Sequence, residues 1–344
     1  MARKTRTTGL PRQQRRTVSH TASRRVGGIA WDERAQRWLI LGGAGLLLAV
    51  ILGLFAYKVY EEKIGRPNTV VLSVEGEDFT LSYYADRLGG FIRANQGSNS
   101  NLQLLEEDLL NKLEREAVAI KLAKEKGVAL DDGAVLDFVA GQLGVSRGGT
   151  ATSFDTLYRA QLRAQGLSEG NYRRLKRAEL AETKLTEQIQ AEVGAKGDQY
   201  VLRTILLNTK EKADEIFAKI KGGAKIGDLA QTESLDLESR QQDGLLLPEP
   251  LELFPAAIQA ALAGKNPGDL LGPVQAGDNW WVFTIDRKEA IDYSDQQKGQ
   301  LATARLDALV KKTRSDLRGA GKITSSLSSD DLTWAQNNAT VPSQ

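Results

Sequence analysis

Two stretches, VLRTILL at 201–207 and PGDLLGPVQAGDNWWVFTIDR at 267–287, decide how this chain folds. The first is an aliphatic, β-rich run. The second reads as a turn, NPGD at 266–269, followed by two strands that reverse at Gly277-Asp278. Between them, TKEKADEIFAKIKGG at 209–223 has the spacing of a short amphipathic helix closed by glycines. A helix around DLAQTE (228–233), an irregular loop at 236–250 and a helix at about 255–263 complete the interval. The order is β-α-α-loop-α-β-β, which predicts a compact α+β module over residues 200–289.

Upstream of the module the pattern is helical. TVVLSVEGEDFT (69–80) reads as two short extended stretches around a turn at Glu75-Gly76, with Thr80 as N-cap for a helix from Leu81 to about Arg93. NQGSNSN (95–101) is a polar loop. Leu102, Leu105, Leu109, Leu113, Ala117 and Ile120 step by three or four, one helix face, and Gly127 closes that helix. Asp131 or Asp132 caps the next. SRGGTATS (146–153) is a loop, and helices at about 154–165 and 169–193 follow, with Ser168 as the second N-cap. Long helices with partial apolar faces suggest an arm or cradle around a cleft. Downstream, 294–318 reads as one amphipathic helix, and the end from about Ser325 is polar and expected to be loose, with Trp334 as an anchor for part of it.

Residues 38–57, WLILGGAGLLLAVILGLFAY, are 20 residues without charge or proline. At about 1.5 Å per residue they span about 30 Å, the thickness of a bilayer's hydrocarbon core. Trp38 and Tyr57 stand where interfacial aromatics belong. GGAGLLL inside this run is not a dinucleotide loop, because no strand precedes it. Residues 1–37 carry ten Lys/Arg against Asp32 and Glu33, while Lys58, Lys63 and Arg66 after the span are offset by Glu61 and Glu62. The positive-inside rule therefore places the N-terminus in the cytoplasm and the large domain outside. YKVYEEK has no small-x-small site, which argues against a cleaved signal peptide. The basic arm has no apolar period and reads as a disordered tail attracted to anionic lipid.

Composition excludes several chemistries. With no cysteine among 344 residues, disulfides, thiolate nucleophiles and cysteine-zinc sites are ruled out. His20 is the single histidine, so mechanisms needing two are ruled out. Residues 59–344 hold 35 basic and 42 acidic residues, a net charge near −7, which argues against nucleic acid as a partner. No metal site, phosphate loop or Ser/His/Asp set appears, and no cofactor is implied.

The 200–289 stretch resembles the parvulin family of peptidyl-prolyl isomerases. The ordered matches are VLRTILL, KADEIFAKIKGGAKIGDLAQTESLD (212–236), PGDLLGPV (267–274) and NWWVFTIDR (279–287). VEGEDFTLSYYADRL, the 102–143 helices and GLSEGNYRRLKRAELAETKL resemble the N-terminal region of SurA/PrsA-type foldases. The resemblance implies an α+β chain with an N-terminal transmembrane helix, a mostly helical chaperone domain and a parvulin-like αβ module with a small antiparallel sheet. Its expected parts are a cytoplasmic basic tail (1–37), the span (38–57), a helical chaperone domain (68–197), a PpiC-type domain (198–290), a C-terminal helix packing on the chaperone domain (291–320) and a flexible tail (321–344).

Parvulins carry a histidine in the first strand and another in the last; those places hold Thr204 and Trp281 here. The family's central-loop cysteine or aspartate falls on Asp236, and its GGDLG motif is reduced to Asp243-Gly244-Leu245-Leu246-Leu247. The resemblance thus implies Asp236 and Thr204 as what remains of a catalytic pair, and a proline pocket drawing on Phe254, Ile258, Trp281 and Phe283. Each residue has a plainer reading. Asp236 suits a capping acid, Thr204 suits a strand, and Phe254 and Ile258 are four apart on one helix face, simple core spacing. Trp280 and Trp281 alternate across a strand, so one core and one outward tryptophan are expected, with a two-layer core as the alternative.

Prolyl isomerisation makes no covalent bond; an enzyme must bind the twisted amide better than either planar form. A threonine hydroxyl can donate and accept, but an indole only donates. Weak or absent isomerase activity is the expectation. Three functions stay open: a chaperone that binds unfolded or exported polypeptides, a working prolyl isomerase using Asp236 and Thr204, and a membrane-tethered scaffold for one assembly. The expected partners are such polypeptides and the lipid bilayer, and whether the chain forms a homodimer stays open.

Overall fold

The computed structural model describes residues 25–26, 29–30, 33–94, 102–147 and 151–339. Most of the basic arm and all of the NQGSNSN loop lie outside them. The chain divides into two compact units, Met1–Pro67 and Asn68–Gln344.

The first unit holds a short strand pair, β1 (Arg25–Val26) with β2 (Ile29–Ala30), and one long helix, α1 (Glu33–Tyr60). From Ile40 onward α1 is apolar and long enough to cross a membrane by length and composition. Its large side chains at Trp38 and from Ile40 through Tyr57 are exposed. A helix that shows leucines, isoleucines and valines all round has no polar face to turn to water.

The second unit is built from a helical part and a sheet part. β3 (Val70–Val74) and β4 (Glu77–Thr80) form a hairpin whose turn is Glu75-Gly76, both in the left-handed region. Gly76 enters it without the Cβ penalty. α2 (Leu81–Ala94), α3 (Leu102–Glu125), α4 (Asp132–Gln142), α5 (Ala151–Gln165) and α6 (Glu169–Glu192) follow. Asp131 caps α4 by accepting the Ala134 N–H at 3.0 Å, and Ser168 caps α6 by accepting the Asn171 N–H at 3.3 Å. α5 starts within the stretch expected to be loop; the loop's central residues, 148–150, lie outside the described ones.

The predicted helix face is real. Leu105, Leu109, Leu113, Ala117 and Ile120 of α3 are all buried. From Leu109 onward that face joins a core with Val71, Leu72, Phe79, Tyr83, Tyr84, Leu88, Leu180 and Leu185. The helices therefore do more than form an open cradle, because the hairpin and the C-terminal elements seal their apolar faces. α11 (Asp295–Gly319) contributes Ala302, Leu306, Val310 and Leu317 to the same core. The segment expected to be a flexible tail instead folds as β9 (Ile323–Ser325) and α12 (Ser329–Asn338). β9 pairs antiparallel with β3, Leu72 opposite Ser325, in a sheet of order β4-β3-β9. Ser328 and Asp331 form a capping box that starts α12, Ala335 is buried, and Leu332 and Trp334 pack on the core. Period-based reading misses this segment because its polar residues are caps and its few apolar ones need a partner surface.

The sheet part is a four-stranded antiparallel sheet of order β6-β5-β8-β7, from β5 (Lys196–Leu207), β6 (Glu249–Pro250), β7 (Leu270–Ala276) and β8 (Asn279–Asp292). One face packs on α7 (Lys210–Lys221) and α8 (Ile226–Glu233) through Ile205, Leu207, Ile216 and Val282. The other packs on α10 (Ala256–Leu262) through Leu202, Ile258, Phe283 and Ile285. A bulge between Val201 and Leu202 lies in the β5–β8 ladder.

Candidate functional site

The 236–250 segment is not a free loop. Leu235 N–H donates to the Leu206 carbonyl at 2.8 Å, and the Ser234 hydroxyl accepts the Leu206 N–H at 3.1 Å. Asp236 then caps a single-turn helix, α9 (Leu237–Arg240), its carboxylate accepting the Glu238 N–H at 3.2 Å. Past α9 the chain turns back on β5 through Gly244. The Gly244 N–H reaches the Ser239 carbonyl at 2.7 Å, and the Gly244 carbonyl accepts the Thr204 N–H at 2.8 Å. Gly244 has φ +79°, and a Cβ there would stand 2.6 Å from the Thr204 carbonyl oxygen. Only glycine meets both demands. Leu246 N–H donates to the Leu202 carbonyl at 2.8 Å, which closes the segment over the sheet.

This loop encloses a cavity of about 230 Å3, lined by Asp236, Glu238, Ser239, Gln242, Leu245, Leu246, Leu247, Glu249 and Phe254. Leu247 and Glu249 also line a neighbouring groove with Gln199, Tyr293 and Gln297. Leu235, Leu237 and Leu247 stand exposed, Leu247 at 72%. Burial pushes the Glu249 carboxyl above the usual carboxylate range, against a hydrogen bond from Gln297 that pulls it down. Gln297, in the first turn of α11, also donates to the Gln199 side chain and the Pro248 carbonyl, both at 3.0 Å, so the C-terminal helix props this wall.

Of the residues expected in the site, Asp236 and Phe254 line the cavity. Ile258 and Phe283 have no exposed surface and share one apolar cluster with Phe254, against which partly buried Trp281 packs. Thr204 lies opposite Phe283 in the β5–β8 ladder, is fully buried, and its hydroxyl has no hydrogen-bond partner. Trp281 stands opposite Leu206 and Val274. Trp280 packs with the other cluster, so each tryptophan is half-buried in its own layer and neither is outward. Sequence reasoning missed Glu238, Ser239, Leu247 and Glu249. Ser239 is buried and its hydroxyl also lacks a partner. No periodic signal marks it, because its position depends on the reversal at Gly244.

A second concavity lies between α3, α6 and α11, about 600 Å3 in volume. Leu175, Ala178 and Val310 supply its apolar surface, and Arg115 bridges Glu182 at 2.8 Å and Asp307 at 2.7 Å on its wall. Among the described residues no cluster of His, Cys, Asp and Glu is arranged to hold a metal. The first cavity can accept a compact apolar side chain and offer hydrogen bonds to a backbone; it presents no nucleophile–base pair.

Residues 187–293 match the family described as the PPIC-type PPIASE domain. Foldase protein PrsA 2 of Listeria monocytogenes is 32% identical over 123 residues, covering 33% of this chain and 42% of that protein. Foldase protein PrsA 1 of Listeria innocua is 31% identical over 121 residues, covering 32% and 41%. The chain thus spans less than half the length of these curated relatives. A crystal structure of the peptidylprolyl isomerase PrsA from Bacillus anthracis aligns with 18% identity and a TM-score of 0.38, covering 67% of this chain and 95% of that one.

Proposed function

We propose that this chain, a PrsA-like foldase relative whose residues 187–293 are a parvulin-type PPIC isomerase domain, acts as a membrane-tethered chaperone of unfolded or newly exported polypeptides with little isomerase activity. One observation carries the reading. The cavity under α9 keeps an apolar wall, Phe254 and Leu245 to Leu247, beside Asp236, while the two strand positions where the resembling family carries histidines hold a sealed threonine and a half-buried tryptophan. Such a site can grip an apolar residue, yet it has few groups that would favour a twisted amide over a planar one. Asp236 is the residue on which remaining catalysis would rest, with Thr204 as the second member of the pair. Phe254, Ile258, Phe283 and Trp281 shape the pocket.

The concavity between α3, α6 and α11 extends the binding surface into the helical part. Apolar patches rimmed by charge suit extended chains of varied sequence. The apolar stretch of α1 supports a single span, and the basic residues before it support a cytoplasmic N-terminus.

A proline tetrapeptide assay and an aggregation assay with several unrelated unfolded proteins test this together. Isomerisation near the spontaneous rate with general suppression of aggregation is expected. A rate roughly a hundredfold above background would make the chain a working isomerase. Protection of one protein alone would make it a dedicated scaffold. Protease added to intact cells tests the orientation: a large domain that resists digestion until the cells are lysed would refute it.

A further inference from the structure

The cavity under α9 has a charge bias that general chain binding does not require. Three carboxylates line it, those of Asp236, Glu238 and Glu249, and no basic side chain does. The basic residues of the surrounding elements are engaged elsewhere. Arg240 donates to the Gln231 carbonyl, Arg203 binds the Asp243 carbonyl and Asp286, and Arg305 pairs with Glu252. On the same wall Ser239 is 2% exposed and its hydroxyl has no partner. A buried hydroxyl left unbonded is costly, so its presence on a binding wall points to a group supplied by what binds.

We propose that this cavity selects polypeptide segments that carry a lysine or arginine beside the apolar residue it holds, with the Ser239 hydroxyl bonding the segment's backbone. The assignment rests on the peptide-binding reading above. The apolar side chain enters against Phe254, Leu245 and Leu246. The flanking cation meets Asp236 and Glu238 at one end or Glu249 at the other. Exposed Leu247, which also lines the neighbouring groove, extends the contact beyond the cavity. A cation near Glu249 also relieves the cost of keeping that carboxylate charged in a half-buried place. An acidic flank would face three like charges without a counter-ion.

The test uses the full chain in detergent and three labelled peptides that differ only at the flanks of a central Leu-Pro: lysine, glutamine or glutamate on both sides. Anisotropy should give the lysine peptide roughly three- to tenfold tighter binding than the glutamine peptide, with the difference shrinking in high salt. Glu238→Gln should cut that preference, whereas Asp278→Asn, in the β7–β8 turn, should leave both the preference and the glutamine peptide's affinity intact. Ser239→Ala should weaken all three peptides alike, roughly threefold or more, without lowering the melting temperature. Equal binding of the three peptides, or a preference abolished as readily by Asp278→Asn, would overturn the charge selection and leave peptide binding standing. An unchanged affinity in Ser239→Ala would remove the serine from the assignment. Failure of all three peptides to bind would overturn the peptide-binding reading itself, and this inference with it.

Discussion

Thr204 and Phe283 face each other across the β5–β8 ladder, and neither has any exposed surface. The threonine hydroxyl is therefore sealed within the sheet beside an aromatic ring, unbonded. Thr204→Val keeps the shape and removes the buried polar atom. It should raise stability by about 1 kcal/mol in urea unfolding followed by tryptophan fluorescence. Peptide affinity should not change. A stability loss would mean that the hydroxyl is bonded in solution.

The helical part has its own buried polar device. Arg87 on α2 makes a two-pronged bond to Glu116 on α3, at 2.9 and 2.7 Å, and also donates to the Tyr83 hydroxyl at 2.7 Å. Both side chains of the pair are 7% exposed. Burial pushes the Tyr83 phenol up to about 12. Glu116→Gln or Arg87→Met alone should cost about 3–5 kcal/mol, since each strands a buried charge. The double replacement Arg87→Met with Glu116→Leu should recover most of that loss, read by a double-mutant cycle in urea.

Gly244→Ala should damage the candidate site more than its one added methyl suggests. The new Cβ would lie 2.6 Å from the Thr204 carbonyl oxygen and 2.8 Å from the Ala230 Cβ, at a φ that favours glycine. A loss of about 2 kcal/mol or more in unfolding free energy is expected, together with faster amide exchange at Thr204 and Leu246. Gly277→Ala, at a turn where nothing stands within 4 Å of the added Cβ, should cost less.

Two carboxylates should bend the pH dependence of stability in opposite directions. Burial raises Glu249, so the native state holds that proton more tightly than the unfolded chain does. Stability then falls as pH rises from the ordinary carboxylate value through the raised native one, and Glu249→Gln should abolish that fall. Glu75 is lowered by hydrogen bonds from Lys121 and then Lys322, which tie the β3–β4 turn to α3 and to the connection between α11 and β9. Its contribution is present above the ordinary carboxylate value and is lost as pH falls through the lowered one. Glu75→Gln should flatten the acid limb. Melting temperatures from pH 3 to 7 for both variants check the two signs.

The element order of the sheet part was legible because strands at 201–207, 270–275 and 279–287 and the helices between them obey local periodicities. Ser168 as a cap, the turn at Glu75-Gly76 and the buried face of α3 were legible for the same reason. The C-terminal fold was not. Ile323 and Leu332 acquire meaning only when β3 and the helical core present surfaces to them, whereas Trp334 was readable as the anchor it is. Asp236 and Phe254, singled out from motif position, both line the cavity. Ser239 and Glu249 were not singled out, since they reach the cavity through a chain reversal and a two-residue strand that leave no pattern.

What the amino-acid order alone determined is each stretch's intrinsic preference: an uncharged span of membrane length, helices with one apolar face, and strands without the imidazoles that the resembling family uses. What only tertiary structure decided is which polar groups end in water and which do not. Burial is a property of distant surfaces meeting, here β5 against β8 and the 236–250 segment folded over them. That meeting sealed Thr204 beside Phe283 and set three carboxylates and an unbonded serine around one apolar cavity.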